Sequence, residues 1–202
     1  MLNIFERVSK ENGKRDRRFR IEHCQHINKE DHARLQQLGV IASVQPSHLL
    51  DDALFIERAL GPIGLENSYP FKSLLEHKAH LAFGSDWNVA PASPILAIHT
   101  AVTRAFTDKD GKTRKFQPSE SISVEESLHA YTDAAAYAEF AENSKGKIKV
   151  GYLADLVIID QVLTNIPTEN IKNTKVDCTI INGKIVYNSN NIKIIPPFSF
   201  DK

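Results

Sequence analysis

Apolar positions recur three apart at the start of the chain, where Leu2, Phe5 and Val8 lie on one side of an otherwise charged segment. That spacing predicts a short amphipathic helix over residues 1–12. Phe19–His23 (FRIEH) then reads as a short strand. Asn28 is expected to cap a helix through Leu38, closed by Gly39 just past its last turn. Val40–Gln45 (VIASVQ), apolar and β-branched, predicts a buried strand. Helical segments follow near Asp51–Ala59 and Tyr69–Lys78, the second with Pro70 in its first turn. His80–Ser85 (HLAFGS) is a third strand. Ser93–Pro94 opens another helix, with Ile95, Ile98 and Val102 on one face. Strands separated by helices predict parallel pairing, because parallel neighbours need a long crossover.

The pattern changes in the second half. Thr107 to Ser121 is polar and reads as a loop. Ser123-Val-Glu-Glu126 has the spacing of a capping box and opens a helix to about Tyr131. An alanine-rich helix over Thr132–Phe140 comes next. Beyond Gly146 the chain reads GKIKVGYLADLVIID and then VDCTIINGKIVYN, where Asn182-Gly183 between apolar runs predicts a tight hairpin. The expected organisation is therefore an α/β region over residues 1–145 and a small β-rich region over 146–202.

Composition narrows the functional classes. The 202 residues are 42% hydrophobic, and 25 Lys and Arg balance 25 Asp and Glu. A net charge of zero implies neither a nucleic-acid nor a membrane partner. The one basic run, Arg15–Arg20 (RDRRFR), could bind phosphate but reads first as a solvated loop leading into a strand. No apolar stretch has the length of a membrane span. The two cysteines, Cys24 and Cys178, offer neither a disulfide framework nor a zinc pattern, which fits a reducing, cytoplasmic compartment. Cys24 reads as a small buried hydrophobe.

In parallel α/β folds, functional groups collect at the C-terminal ends of the strands, where the loops share one crevice. The three predicted strands end in Glu22-His23-Cys24-Gln25-His26, Gln45-Pro46-Ser47-His48 and Gly84-Ser85-Asp86-Trp87. Each end delivers an imidazole or a carboxylate, the usual ligands of a catalytic divalent metal. Taken singly, His23 also reads as a hydrogen-bonded core histidine, His48 as a loop residue and Asp86 as a turn cap. Three successive strands ending this way favour a shared site. His32, His77, His80, His99 and His129 fall in helices or at a strand start and carry no expected role. No nucleophile elbow, P-loop or dinucleotide fingerprint is present.

RIEHCQH, VIASVQPSHLLDD, LAFGSDWNV and GYLADLVIID, in this order, resemble successive signatures of the amidohydrolase superfamily. The similarity runs from about Arg18 to Tyr187 and points to amidohydrolase family 3, the YtcJ-like metal-dependent hydrolases. The resemblance implies the C-terminal part of a (β/α)8 TIM barrel, with the three strands as its sixth, seventh and eighth, beside part of a small β-sandwich. It implies His23 as a metal-associated histidine. Asp86 would be both metal ligand and general base toward the hydrolytic water, and His48 a substrate-pocket residue. The implied cofactor is a divalent metal, with zinc the expected ion, and the implied substrate a small molecule with a non-peptide carbon–nitrogen bond.

The family's first-strand His-x-His pair, its strand-four ligand and its strand-five histidine find no match in these residues. A complete barrel takes roughly 250 residues, more than the ~145 before the β-rich region, in which three of its eight strands are read. The expectation is a truncated product, a partial gene model or one piece of a split protein. Its partner would be the remaining N-terminal half or a second copy. A non-catalytic remnant of the same fold, retained for binding or regulation, is the alternative.

Overall fold

The computed structural model describes residues 1–189, so the last part of the expected β-rich region lies outside the described residues. The chain opens with helix α1 (Leu2–Glu11), whose Leu2 is buried. Strand β1 (Arg20–Glu22) follows, then a 3-10 turn over Lys29–Asp31, helix α2 (His32–Leu38) and strand β2 (Ile41–Val44). Asn28 precedes the 3-10 turn but its side chain makes no capping bond. Gly39 takes the left-handed conformation expected past the last turn, at φ 62°.

Between β2 and strand β3 (His80–Phe83) run a 3-10 turn over Pro46–His48 and helices α3 (Leu49–Asp52), α4 (Ile56–Glu66) and α5 (Phe71–Glu76). Helix α4 breaks its regular geometry at Gly61, just before Pro62. Pro70 caps α5 from outside rather than sitting in its first turn. Helix α6 (Pro94–Thr103) begins with Ser93 accepting a hydrogen bond from the Leu96 amide.

Part of the segment read as a polar loop pairs instead. Strands β4 (Ala105–Thr107) and β5 (Thr113–Lys115) form a two-stranded antiparallel ribbon. The polar, exposed side chains of β5 hid the pairing, although Phe106 of β4 packs against the main core. Helices α7 (Val124–Tyr131) and α8 (Asp133–Ala138) follow, α7 with the complete predicted capping box.

The strands β1, β2 and β3 form a parallel sheet in that order, with Glu22 beside Ser43 and Ser43 beside Ala82. Burial alternates with the strand period of two. Val40, Ala42, Val44, Leu81 and Phe83 join Leu35, Leu49, Tyr69, Phe71 and Leu74 in the main core. Ile41 and Ala82 point the other way, against Ala138 and Tyr137 of α8. Both faces of β2 are thus covered, as its largely apolar sequence requires.

Strands β6 (Leu156–Ile159), β7 (Val176–Ile181) and β8 (Lys184–Asn188) form an antiparallel sheet. The β7–β8 hairpin turns at Asn182 and Gly183, with φ 49° and 73°. Two successive positive φ values are what a two-residue turn between right-twisted strands demands. The basic run is not simply a solvated loop: Arg15 is exposed, but the Arg18 side chain is only 8% exposed. No helix among the described residues is long and apolar enough to cross a membrane.

Candidate metal centre

Parallel pairing sends β1, β2 and β3 out of the sheet on the same side. His23 follows β1 at once, Asp86 lies three residues beyond β3, and His48 closes the short turn after β2. The backbone bends sharply at two of these positions. His23 (φ 67°) and Asp86 (φ 52°) take left-handed conformations uncommon for residues with a side chain. The bends turn both side chains back across the sheet end instead of letting them continue along the strands. Such backbone strain recurs at functional sites.

The result is a cluster in which one ligand atom each from His23, His48 and Asp86 lies within 4.8 Å of the others. His48 Nε2 is 3.7 Å and His23 Nδ1 is 4.0 Å from Asp86 Oδ2. Both gaps are too long for hydrogen bonds. They are closer to the spacing around a tetrahedral ion, where ligand atoms ~2.0–2.1 Å from the metal lie about 3.4 Å apart. His48 Nε2 is also buried with no hydrogen-bond partner among the described residues. Two imidazoles and a carboxylate facing one spot, with a buried polar atom left over, fit a divalent metal. The two rings stack with centroids 5.6 Å apart.

Gln45, buried at the end of β2, places Oε1 3.0 Å from His23 Nδ1. Gln45 Oε1 thus holds the His23 ring by the same nitrogen that lies 4.0 Å from Asp86 Oδ2. Metal-binding histidines are commonly oriented by an acceptor of this kind.

Behind His48 lies a polar group that sequence reasoning missed. Gln25 Nε2 is 3.4 Å from His48 Nδ1, 3.2 Å from Asp52 Oδ2 and 2.7 Å from the Tyr69 hydroxyl. Tyr69 in turn donates to Asp52 Oδ2 at 2.5 Å. Asp52 was discoverable, since it stands four residues after His48 in a helical stretch and so shares its face. Tyr69 carried no such signal. It reaches the site because residues 25–27 pair with 67–69, through Ile27 N to Asn67 O and Tyr69 N to Gln25 O.

Cys24 is 7% exposed within the main core, and burial pushes its thiol up to about 11. It behaves as the expected hydrophobe. His80 Nε2 donates to the Ala134 carbonyl at 2.9 Å, and His32 and His99 are buried away from the cluster.

Residues 1–187 match the sequence model of the Amidohydrolase family. Protein LONG AFTER FAR-RED 3 of Arabidopsis thaliana is 43% identical over 190 residues, covering 93% of this chain and 32% of its own length. YtcJ of Bacillus subtilis (strain 168) is 29% identical over 188 residues, covering 93% and 35%. The chain spans about a third of the length of these curated relatives. An uncharacterized metal-dependent hydrolase from Pyrococcus horikoshii OT3 superposes with a TM-score of 0.69 at 27% identity, over 83% of this chain and 32% of the other.

Proposed function

The chain belongs to the amidohydrolase family, and from that premise we propose that it forms part of a hydrolase cleaving a non-peptide carbon–nitrogen bond in a small molecule. The observation that carries this reading is the convergence of His23, His48 and Asp86 at one end of a parallel sheet. The solved relative described as a metal-dependent hydrolase supports it. In this reading β1, β2 and β3 are the sixth, seventh and eighth strands of a (β/α)8 barrel. Residues 1–145 belong to that barrel, and those from 146 onward to a small β-sandwich. The parallel order β1-β2-β3 and the separate antiparallel sheet are consistent with it.

His23 and Asp86 are the groups that would hold a divalent ion, with zinc the expected one. When bound, such an ion supplies Lewis acidity and makes water a stronger acid. Asp86 would be the group to accept a proton from an attacking water and to return it to the leaving nitrogen. His48 lines the pocket on the substrate side. Two protein ligands leave coordination positions for groups outside these residues, from the rest of such a barrel or from a second copy of the chain.

The test is elemental analysis of the purified chain beside His23→Ala and Asp86→Ala. Near-stoichiometric zinc, lost in both variants, is the expected result. Folded protein without bound metal would sink the catalytic reading and leave a non-catalytic member of the family.

A further inference from the structure

The tripeptide Asn-Gly-Lys occurs twice in this chain, at Asn12-Gly13-Lys14 and at Asn182-Gly183-Lys184. Asn-Gly is prone to cyclise, because glycine has no side chain to hinder the approach of its nitrogen to the preceding side-chain amide. The Gly nitrogen bonds to Cγ of the Asn, the Cγ–Nδ2 bond breaks, and ammonia leaves. Water then opens the cyclic imide on either side, giving aspartate or isoaspartate. In net terms a water is consumed and an ammonia released. Both copies are exposed, so solvent access does not distinguish them. Their hydrogen bonds do.

The attacking group is the deprotonated Gly nitrogen, and resonance shares its charge with the Asn carbonyl oxygen of the same peptide group. At the β7–β8 hairpin, Gly183 N–H donates to the Ala154 carbonyl at 3.1 Å, and Asn182 N–H to Asp155 Oδ1 at 2.7 Å. The proton is held there, and a carboxylate lies beside the group that would become negative. At the end of α1, Gly13 N–H has no partner among the described residues. Arg17 Nη2 donates to the Asn12 carbonyl at 3.2 Å and to that of Gly13 at 2.8 Å. A guanidinium on the Asn12 oxygen stabilises the charge that develops when Gly13 N loses its proton, as a donor in an oxyanion hole does. The Asn12 side chain donates to the Val8 carbonyl at 3.1 Å and has to leave it to meet Gly13 N. That bond is exposed, and water replaces it at small cost.

We propose that Asn12-Gly13 is a self-modifying site, at which Arg17 promotes conversion of Asn12 to aspartate or isoaspartate in the folded protein, while the hairpin holds the same tripeptide unreactive. Arg17 is the catalytic residue of this step, since it touches the reacting peptide group. The product adds a negative charge just ahead of the basic run Arg15–Arg20. None of this depends on the metal-centre reading.

The test is peptide mass spectrometry on the whole chain after incubation in mildly alkaline buffer, folded and in urea, with deamidation and isoaspartate scored at each site. In urea the two sites share one local sequence and are expected to react at similar rates. In the folded protein Asn12 should react at least about tenfold faster than Asn182. Arg17→Gln should slow Asn12 about tenfold, the worth of one charged hydrogen bond, and leave Asn182 unchanged. Arg17→Lys keeps the charge and should recover part of the rate. The effect of Arg17 should vanish in urea, where its side chain no longer folds back on residues 12 and 13. Asn182 reacting as fast as Asn12 in the folded protein, or an Asn12 rate indifferent to Arg17→Gln in folded variant, would overturn the proposal.

Discussion

Arg18 and Glu142 meet as a two-pronged ion pair across 124 residues of chain, with Nη1 donating to Oε2 at 2.7 Å and Nη2 to Oε1 at 2.6 Å. The same guanidinium lies over the rings of Tyr137 and Phe140 and donates to the Tyr137 carbonyl. It clamps the entry of β1 onto the end of α8, which covers one face of the parallel sheet. The clamp thereby steadies the strand that delivers His23.

The pair gives stability an acid-sensitive component. Its hydrogen bonds to Arg18 hold the Glu142 carboxyl down at about 2, from an ordinary 4.5. A depressed carboxylate stabilises the fold above its unfolded pKa, and that stability is lost as pH falls through the folded value. Between pH 4.5 and about 2 the wild-type urea midpoint is expected to fall more steeply than that of Glu142→Gln. Parallel curves for the two proteins would remove this pair as the cause.

A second pH effect lies nearer neutrality. Burial lowers the pKa of His99 from 6.5, and its Nδ1 has no partner among the described residues. The unfolded state then binds the proton more readily, so stability falls as pH drops below 6.5 toward the folded value. His99→Leu removes the titrating group from an interior position. Its unfolding midpoint should depend less on pH than the wild type's across that window.

The capping box at the start of α7 is measurable by a double-mutant cycle. Ser123 Oγ accepts from Glu126 N at 3.0 Å, and Glu126 Oε2 accepts from Ser123 N at 2.7 Å. Ser123→Ala is expected to cost about 1 kcal/mol in denaturant unfolding. Combined with Glu126→Ala, it should cost less than the sum of the single changes, because each removes part of one reciprocal device. Strict additivity would show that the two bonds act independently.

Both cysteines are buried, Cys24 at 7% and Cys178 at 2% exposure. Since the thiolate is the reactive species, a Cys24 thiol pushed up to about 11 reacts slowly even when reached. Native protein treated with a disulfide thiol reagent near neutral pH should release little chromophore, and urea-unfolded protein two equivalents. Rapid native labelling of Cys24 would mean that the main core opens around it.

Much of the fold was written in local patterns. Apolar content and β-branching located β2 and β3 within a residue or two, because strands covered on both faces carry mostly apolar side chains, and β1 was placed as closely although Arg20 and Glu22 are exposed. Ser123 with Glu126, and Asn182 with Gly183, mark their helix start and hairpin because the chemistry of each spans only a few residues. His23, His48 and Asp86 were also legible, as groups placed just past strand ends of one direction. The β4–β5 ribbon escaped notice because its pairing rests on backbone hydrogen bonds, which no side-chain pattern reports.

Tertiary structure decided what each site residue faces. Gln45 behind His23, and Gln25, Asp52 and Tyr69 behind His48, come from four different stretches of chain. Sequence spacing constrains neighbours along a helix or strand, whereas the group that packs against an imidazole nitrogen can come from any stretch of the chain. That contact exists only after the loops beyond β1 and α4 have paired. The residues that converge were determined by the sequence, and the polar partners that hold each one by the packing around it.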